Sequence, residues 1–556
     1  MNCIKEKIFF LLFLVFSSTS VLLSQVVYEP LHRDVYNFLR RLSQKGIIEF
    51  NDLVRPLPRI YIAEKLFEAD SLSSKLTSLE KDELVFFIRD FYHEQWFLEA
   101  STEHKNHLDF VSNDPAQRWR FFSYGSDAFK MNAGIILGAE IGSLDKSKLT
   151  HFWNGVYTYG YISDVLGFSF DFRDNTEKGN TIDKQKKFST VTGINEKSDR
   201  LNADYPGDKI EYSEAKGVLA TNWQWGSAAV GKEFLEWGYA DNGLIVLSQK
   251  APSFPFIRLD INPVEWLHFN YFHAWLSSDV VDSSLIYYTE EGNQRFQFRE
   301  KYIASHSLTI TPTRGLDISI GESIVYADKP EVLYLIPITF FRIADHYLSR
   351  QYNAAGGNAQ LFASLSSKGH LKNTHLYGTL FIDEVTLSSL FDSNKQRNQL
   401  GFTLGSSLTD LLVNNLTFKL EYSKIYPYVY KHYIPTTTYE SASYVLGHWM
   451  GNNADQVFAS VKYRFLRGLE AIAWLRYIRQ GEAGSIDGQY TQPQPPFLFV
   501  LRTNYTYLGT QLKYEILHEL FVRARYQFMK TSVQQEDLSF IDKNIHEFHF
   551  AVFYGL

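Results

Sequence analysis

The chain is poor in the residues that build most covalent or metal chemistry. It has one cysteine, Cys3. That residue lies in a leader in which Lys5 and Lys7 are followed by an apolar stretch from Ile8 to Phe16 and a small, polar segment from Ser17 to Gln25. Such a leader reads as a secretion signal, residues 1–24, cleaved near Ser24. The mature chain then holds no disulfide framework, no thiolate metal site and no cysteine nucleophile. Cys3 precedes the apolar stretch, whereas a lipidated cysteine follows it. No later run reaches about 18 apolar residues, which excludes helical membrane spans. The net charge is −7 over 556 residues with no basic stripe, so nucleic acid is not an expected partner. The 16 histidines form no HExxH, and GxSxG does not occur. His268 and His273 lie on opposite faces of one expected strand and cannot share a metal. No cofactor and no enzymatic activity are expected. The remaining enzymatic alternative is a Ser/His pair of lipid-hydrolase type drawn from His346, Ser349 and His448.

What the chain has in abundance is alternating strands. Leu416, Phe418, Leu420 and Tyr422 alternate with Thr417, Lys419, Glu421 and Ser423, and Leu520–Phe528 repeats the pattern around Arg523, Arg525 and Gln527. One face suits lipid and the other a wet, charged lumen. The connections alternate as well. Thr506–Ile516 turns tightly through Leu517-His518-Glu519 into Leu520–Met529, after a long polar stretch ending near Tyr505. Tight turns on one side and long loops on the other are the layout of a transmembrane β-barrel. Aromatics make up 16% of residues, with 35 Tyr and 44 Phe, which fits interfacial girdles. Counting back from Ile545–Tyr554 gives about 18 antiparallel strands, the first near Met131–Ile141. The expected short turns include Ser163-Asp164, Asn262-Pro263, Lys368-Gly369 and Arg467-Gly468. The expected outer loops include 175–212, 234–254, 425–455 and 530–544.

Ahead of the barrel, residues 25–115 have helical periodicity, and the barrel is placed at 116–556. Val35, Phe38, Leu39 and Leu42 share one helix face, and Gly46 stops that helix. Pro58 opens a second helix, and Thr77 with Glu80 forms a capping box for a third. An even strand number puts this bundle on the periplasmic side.

The loop Phe234–Phe254 is more apolar than a solvated loop should be, so it is expected to cross the mouth or fold into the lumen. The segment GKEFLEWGYADNGLIVLSQKAPSFPFIRLDINP, from Gly231 to Pro263, resembles the signature of the Wzi-like capsule-assembly outer-membrane proteins. The order of signal, helical bundle and barrel resembles that family along nearly all of the mature chain. The resemblance implies an occluded 18-stranded barrel at the cell surface with a lectin-like role in attaching or assembling capsular or exopolysaccharide. It further implies outer-membrane lipid and polysaccharide export machinery as partners. An outer-membrane porin or glycan-uptake channel is the alternative. The candidate ligand residues are Trp237 and Tyr239 for stacking and Asp241, Asn242 and Arg258 for hydrogen bonding. Each has a bland counterpart: the two aromatics plug the loop, Asp241-Asn242-Gly243 is a tight turn, and Arg258 braces the lumen against Glu233 or Asp260. Tyr426, Tyr428, Tyr430, Tyr433 and Tyr439 form either a glycan surface or an upper aromatic girdle.

Overall fold

The computed structural model describes residues 24–98, 106–145, 147–163, 165–179, 209–352, 356–385, 392 and 397–555. All of the expected signal but Ser24 lies outside these residues, as do most of the expected loop 175–212 and part of the connection before Asn398.

Eighteen antiparallel strands form a closed barrel. They are β1 (Phe129–Leu144), β2 (Ser147–Ile162), β3 (Leu166–Gly179), β4 (Lys209–Trp223), β5 (Gly226–Glu233) and β6 (Phe254–Val264). Then come β7 (Leu267–Val281), β8 (Phe298–Thr313), β9 (Leu316–Ala327), β10 (Asn358–Lys368), β11 (Thr374–Glu384) and β12 (Gln399–Thr409). The last are β13 (Leu416–Ile425), β14 (Ala454–Leu466), β15 (Leu469–Gln480), β16 (Thr503–Leu517), β17 (Leu520–Gln534) and β18 (Phe540–Tyr554). Each pairs with its sequence neighbours. Closure comes from β18 on β1, with Glu547 opposite Leu144 and Tyr554 opposite Leu137. A closed cylinder leaves no unpaired edge, which is the condition for strands to cross hydrocarbon.

The alternation in the sequence decides which side chain faces where. Leu137, Ile141, Val230, Ile320, Leu404, Leu475 and Val552 are exposed on the outer surface, while Glu421, Ser423, Ser460 and Gln527 are buried on the inner one. A belt of apolar side chains around the whole cylinder exceeds what a water-soluble surface carries and fits a lipid contact. No helix among the described residues is long and apolar enough to cross a membrane.

Two boundaries differ from the sequence reading. Residues 530–544 are not a long loop, because β17 and β18 run on to a turn at 535–539. Asn262-Pro263 is not the turn either. Both residues remain in β6, where the pairing shifts between Ile261 and Val264, and the chain turns at 265–266. Proline has no N–H to give a ladder, so it is tolerated at such an irregularity.

The end of the barrel carrying the short turns is filled by the N-terminal helices: α1 (Val35–Gln44), α2 (Arg59–Ser71), α3 (Ser78–Ile88) and α4 (Tyr92–Leu98). Leu39, Leu42, Ile62, Ala63, Leu66 and Leu84 form their shared core. The capping box at Thr77 and Glu80 is present, and Gly46 takes positive φ after α1. A hairpin of His107–Asn113 and Trp119–Gly125 then leads into β1.

Polar contacts lock this plug to the wall. Arg41 reaches Glu80 at 3.0 Å, and also Asp410 and Thr409. The Lys368 ammonium meets Asp52 at 2.7 Å and the Phe50 carbonyl at 2.7 Å. Burial pushes the Asp52 carboxyl up, but Lys368 and Arg40 outweigh it and hold it well below the usual carboxylate range. Arg59 is fully buried between the rings of Phe91 and Tyr159, at 4.2 and 4.4 Å, and donates to Glu94 at 2.7 Å.

Candidate functional site

The loop between β5 and β6 enters the lumen. Its apolar residues would lose roughly 25 cal/mol for each Å² left in water, and inside they find a core. Trp237 sits between Phe272 and Phe362 of the wall, with ring centroids 5.9 and 5.5 Å away. The backbone of Glu236-Trp237 pairs with Val54-Arg55 of the plug, and Gly238 N–H donates to the Leu53 carbonyl at 2.8 Å. The plug and the loop therefore meet inside the barrel as a short two-stranded seam.

A second loop, 426–453, folds onto the first. Tyr430 donates to the Ile245 carbonyl at 2.6 Å and Tyr439 to the Val246 carbonyl at 2.9 Å. Ser248 N–H donates to the Leu446 carbonyl at 2.8 Å. Tyr428, Tyr430 and Tyr439 are thus buried in the lumen, and only Tyr433 of the five tyrosines is half exposed. The buried ones are neither a glycan surface nor a girdle, and the hydroxyls of Tyr430 and Tyr439 satisfy carbonyls that the inserted loop leaves without ladder partners. The two loops interlock where Gly243 takes positive φ; a Cβ there would stand 2.4 Å from the His448 ring. His448 is wholly buried against the inserted loop, and burial pushes its imidazole down to about 3; Ser349 lies on the helix α5 (Phe341–Tyr352).

The five residues singled out in the sequence divide into two groups. Trp237, Tyr239 and Arg258 are 1%, 5% and 3% exposed. The two rings present no free face to water and cannot stack on a sugar in this arrangement. Tyr239 packs edge-on to His375. Arg258 pairs with Asp260 at 2.8 Å, donates to the Pro56 carbonyl at 2.9 Å and lies over the Tyr28 ring at 4.7 Å. It is the brace foreseen as its bland role. Asp241 is exposed, and Asn242, itself 5% exposed, lines the same lumenal chamber beside it. Their N–H groups both donate to Glu421, at 2.8 and 3.2 Å, and Glu421 also accepts from Tyr377 at 2.6 Å. The Asp241 carboxylate pairs with Lys419 and with Arg40. The Asn242 side-chain oxygen accepts from Arg476 Nε at 2.7 Å.

Asp241 and Asn242 border a chamber of about 920 Å³ between the inserted loop and the opposite wall, a size within the usual range of about 300–1,000 Å³ for ligand sites. Trp153, Lys462, Trp474, Arg476, Arg525 and Glu547 also line it. The sequence placed Arg525 on the lumen side, but nothing marked Trp474 or Arg476 as different from any inward residue. The signal available was the pairing of each large ring with a glycine. Gly138 stands opposite Trp153 and Gly509 opposite Trp474, and a Cβ on either glycine would overlap the indole.

No protein-family model and no curated protein sequence matches the chain. Solved structures do. One is described as Wzi, an outer-membrane protein involved in group 1 capsule assembly in Escherichia coli and a carbohydrate-binding β-barrel. It has a TM-score of 0.56 and 13% identity, over 96% of this chain and 100% of that one. OccD1 (OprD) has a TM-score of 0.42 and 13% identity, over 81% and 99%. OccAB1 of Acinetobacter baumannii has 0.42 and 9%, over 76% and 96%. The chain therefore has the Wzi-like fold, an outer-membrane-type barrel of 18 antiparallel strands with N-terminal helices.

Proposed function

We propose that the protein binds capsular or exopolysaccharide at the surface of a Gram-negative outer membrane and helps attach or assemble it, without enzymatic activity. The observation that carries this reading is the state of the lumen. Two loops and the plug fill its centre with an apolar core, yet a wet chamber remains beside that core. A diffusion porin needs an open path, whereas a glycan receptor needs a fixed cavity with aromatic faces and polar groups aimed into it. Wzi, which has this fold, is described as carbohydrate-binding and involved in capsule assembly, in keeping with the reading. Residues 25–115 act as a periplasmic plug. Asp241 and Asn242 contact the glycan, and Trp237, Tyr239 and Arg258 hold their loop in place. The apolar belt meets outer-membrane lipid, and the export machinery delivers the chains. The test is retention of surface polysaccharide by cells carrying Asp241→Ala or Asn242→Ala at equal outer-membrane abundance. Reduced retention is expected. Normal retention together with large single-channel conductance of the wild-type protein would replace this reading by the porin.

A further inference from the structure

The chamber wall opposite the inserted loop carries a second constellation. Trp474 and Arg476 alternate inward on β15, and Arg525 and Gln527 do so on β17. Gly509 of β16 stands between Trp474 and Gln527, directly opposite both. The missing side chain at Gly509 is what gives the indole its place: a Cβ there would lie 2.1 Å from Trp474 Cζ2. The ring therefore lies along the wall. Its Nε1 donates to Gln527 Oε1 at 3.3 Å, and the residue is only half buried and borders the chamber. An indole held flat beside a wet cavity is a stacking platform for the C–H face of a pyranose.

Two guanidinium groups flank this platform. Arg525 lies 5.5 Å from the Trp474 ring centroid, and Arg476 follows two residues along the same face of β15. Arg476 Nε donates to Asn242 and Arg525 Nη2 reaches Gln527 Oε1 at 3.3 Å, while Arg476 Nη1 and Arg525 Nε are buried without a partner; both side chains line the chamber. Neither has a carboxylate within ion-pair distance among the described residues. The other cations of this wall do: Lys462 with Glu470 at 3.3 Å, Lys513 with Asp34 at 2.7 Å and Arg523 with Glu140 at 2.6 Å. The nearby Glu547 is taken by His549 at 2.7 Å and by Gln527 at 2.9 Å. Guanidinium groups that line a cavity without a carboxylate partner bind a carboxylate in preference to a neutral hydroxyl, because the charge-assisted bond is about twice as strong.

We infer that Trp474, Arg476, Arg525 and Gln527 form a lumenal subsite for an acidic sugar unit, the ring on the indole and the carboxylate between the two arginines. This rests on the glycan-binding reading and narrows it to an anionic glycan. The chamber runs from Leu149 and Glu177, each two residues from the outer end of its strand, to Glu515 and His518 at the short-turn end, and the subsite lies within the lumen between them.

The test uses the full-length protein in detergent, titrated calorimetrically with trigalacturonate and with its methyl ester, which keeps the sugar faces and removes the charge. The acid is expected to bind on the order of 10- to 100-fold more tightly, the worth of one or two charge-assisted hydrogen bonds. Arg525→Gln is expected to abolish that preference. It is the preferred variant because Arg476 also anchors Asn242. Trp474→Ala is expected to weaken both ligands. Equal binding of acid and ester, with both lost in Trp474→Ala, overturns the anionic subsite while leaving the glycan reading intact. Binding of inorganic sulfate that depends on both arginines, with neither trisaccharide bound, overturns it in favour of a bare anion site. Binding unaffected by Arg525→Gln and Trp474→Ala overturns it outright.

Discussion

One half of this lumen is dry and the other is wet, and the difference lies in the size of the inward side chains. Along β8 to β13 they are often small and hydroxylated. Thr309 pairs with Ser319 at 3.0 Å, Ser364 with Thr379 at 3.0 Å and Thr403 with Ser423 at 2.8 Å, each directly across adjacent strands. Hydroxyl pairs of this kind satisfy one another and leave room above the wall. The inserted loops use that room, with Trp237, Ile245, Val246, Tyr430 and Leu446 forming one core with Phe272, Phe362 and Phe381. Along β14 to β18 the inward side chains are long and charged. They reach toward the axis, pair with carboxylates of the wall and the plug, and border the chamber, across which Arg476 reaches Asn242 of the loop. A barrel of one fold thus makes a scaffold on one side and a binding chamber on the other, without any change in strand pairing.

That contrast predicts unequal responses to mutation. The largest effect belongs to the dry half. Trp237→Ala removes a ring held by Phe272, Phe362 and the plug seam, and large-to-small changes of this kind cost about 3–5 kcal/mol. Urea unfolding should show that loss, and planar-bilayer conductance should rise as the loop leaves the lumen. An unchanged midpoint and unchanged conductance would mean that the core does not hold the loop.

A smaller effect is expected within the plug. Burial pushes the Glu80 carboxyl up, but the Lys45 ammonium at 2.8 Å and the Thr77 N–H at 2.9 Å outweigh it and bring it from its ordinary 4.5 to about 2. A carboxyl lowered on folding contributes stability that is fully present above about pH 4.5 and lost as the pH falls through about 2. Glu80→Gln should therefore weaken the helical plug by about 1–3 kcal/mol at neutral pH, and by nothing near pH 2. Hydrogen exchange of α1 and α3 across that range reads the difference directly; a gap that persists at pH 2 would assign it to packing instead.

The smallest effect belongs to the wet wall. Lys462 and Glu470 pair at 3.3 Å beside the chamber, both with partial access to water. Lys462→Ala should change stability by about 0–1 kcal/mol, within the error of urea unfolding. A loss as large as that of Trp237→Ala would show that both halves are load-sharing cores and would remove the contrast.

Much of the fold was legible because barrel physics writes itself locally. Leu416 to Ser423 had to alternate once one face met lipid, and the parity of short turns and long loops assigned the two ends. The capping box at Thr77 and Glu80 and the stop at Gly46 are likewise contacts over a few residues. The apolarity of Phe234 to Phe254 announced that this loop leaves water. Its destination did not follow from composition: Trp237 and Tyr239 have the same residue types whether they stack on a sugar or on Phe362 and His375. Only the closed barrel decides that, by bringing strands far apart in sequence to within a ring's width. Tyr428, Tyr430 and Tyr439, expected at a glycan surface or a girdle, are buried for the same reason.

What the sequence determined by itself is therefore whatever period and turn chemistry determine: a strand-built, lipid-facing cylinder of about 18 strands, helices before it, and a loop too apolar to stay outside. What only the tertiary structure decided is which residues meet in the lumen. Arg258 found Asp260 two residues away, and that was readable. Arg476 met Asn242 across 234 positions, and Gly509 made the bed on which Trp474 lies. Such meetings depend on the circumference of the closed sheet and on the stagger of its strands, which no local pattern encodes.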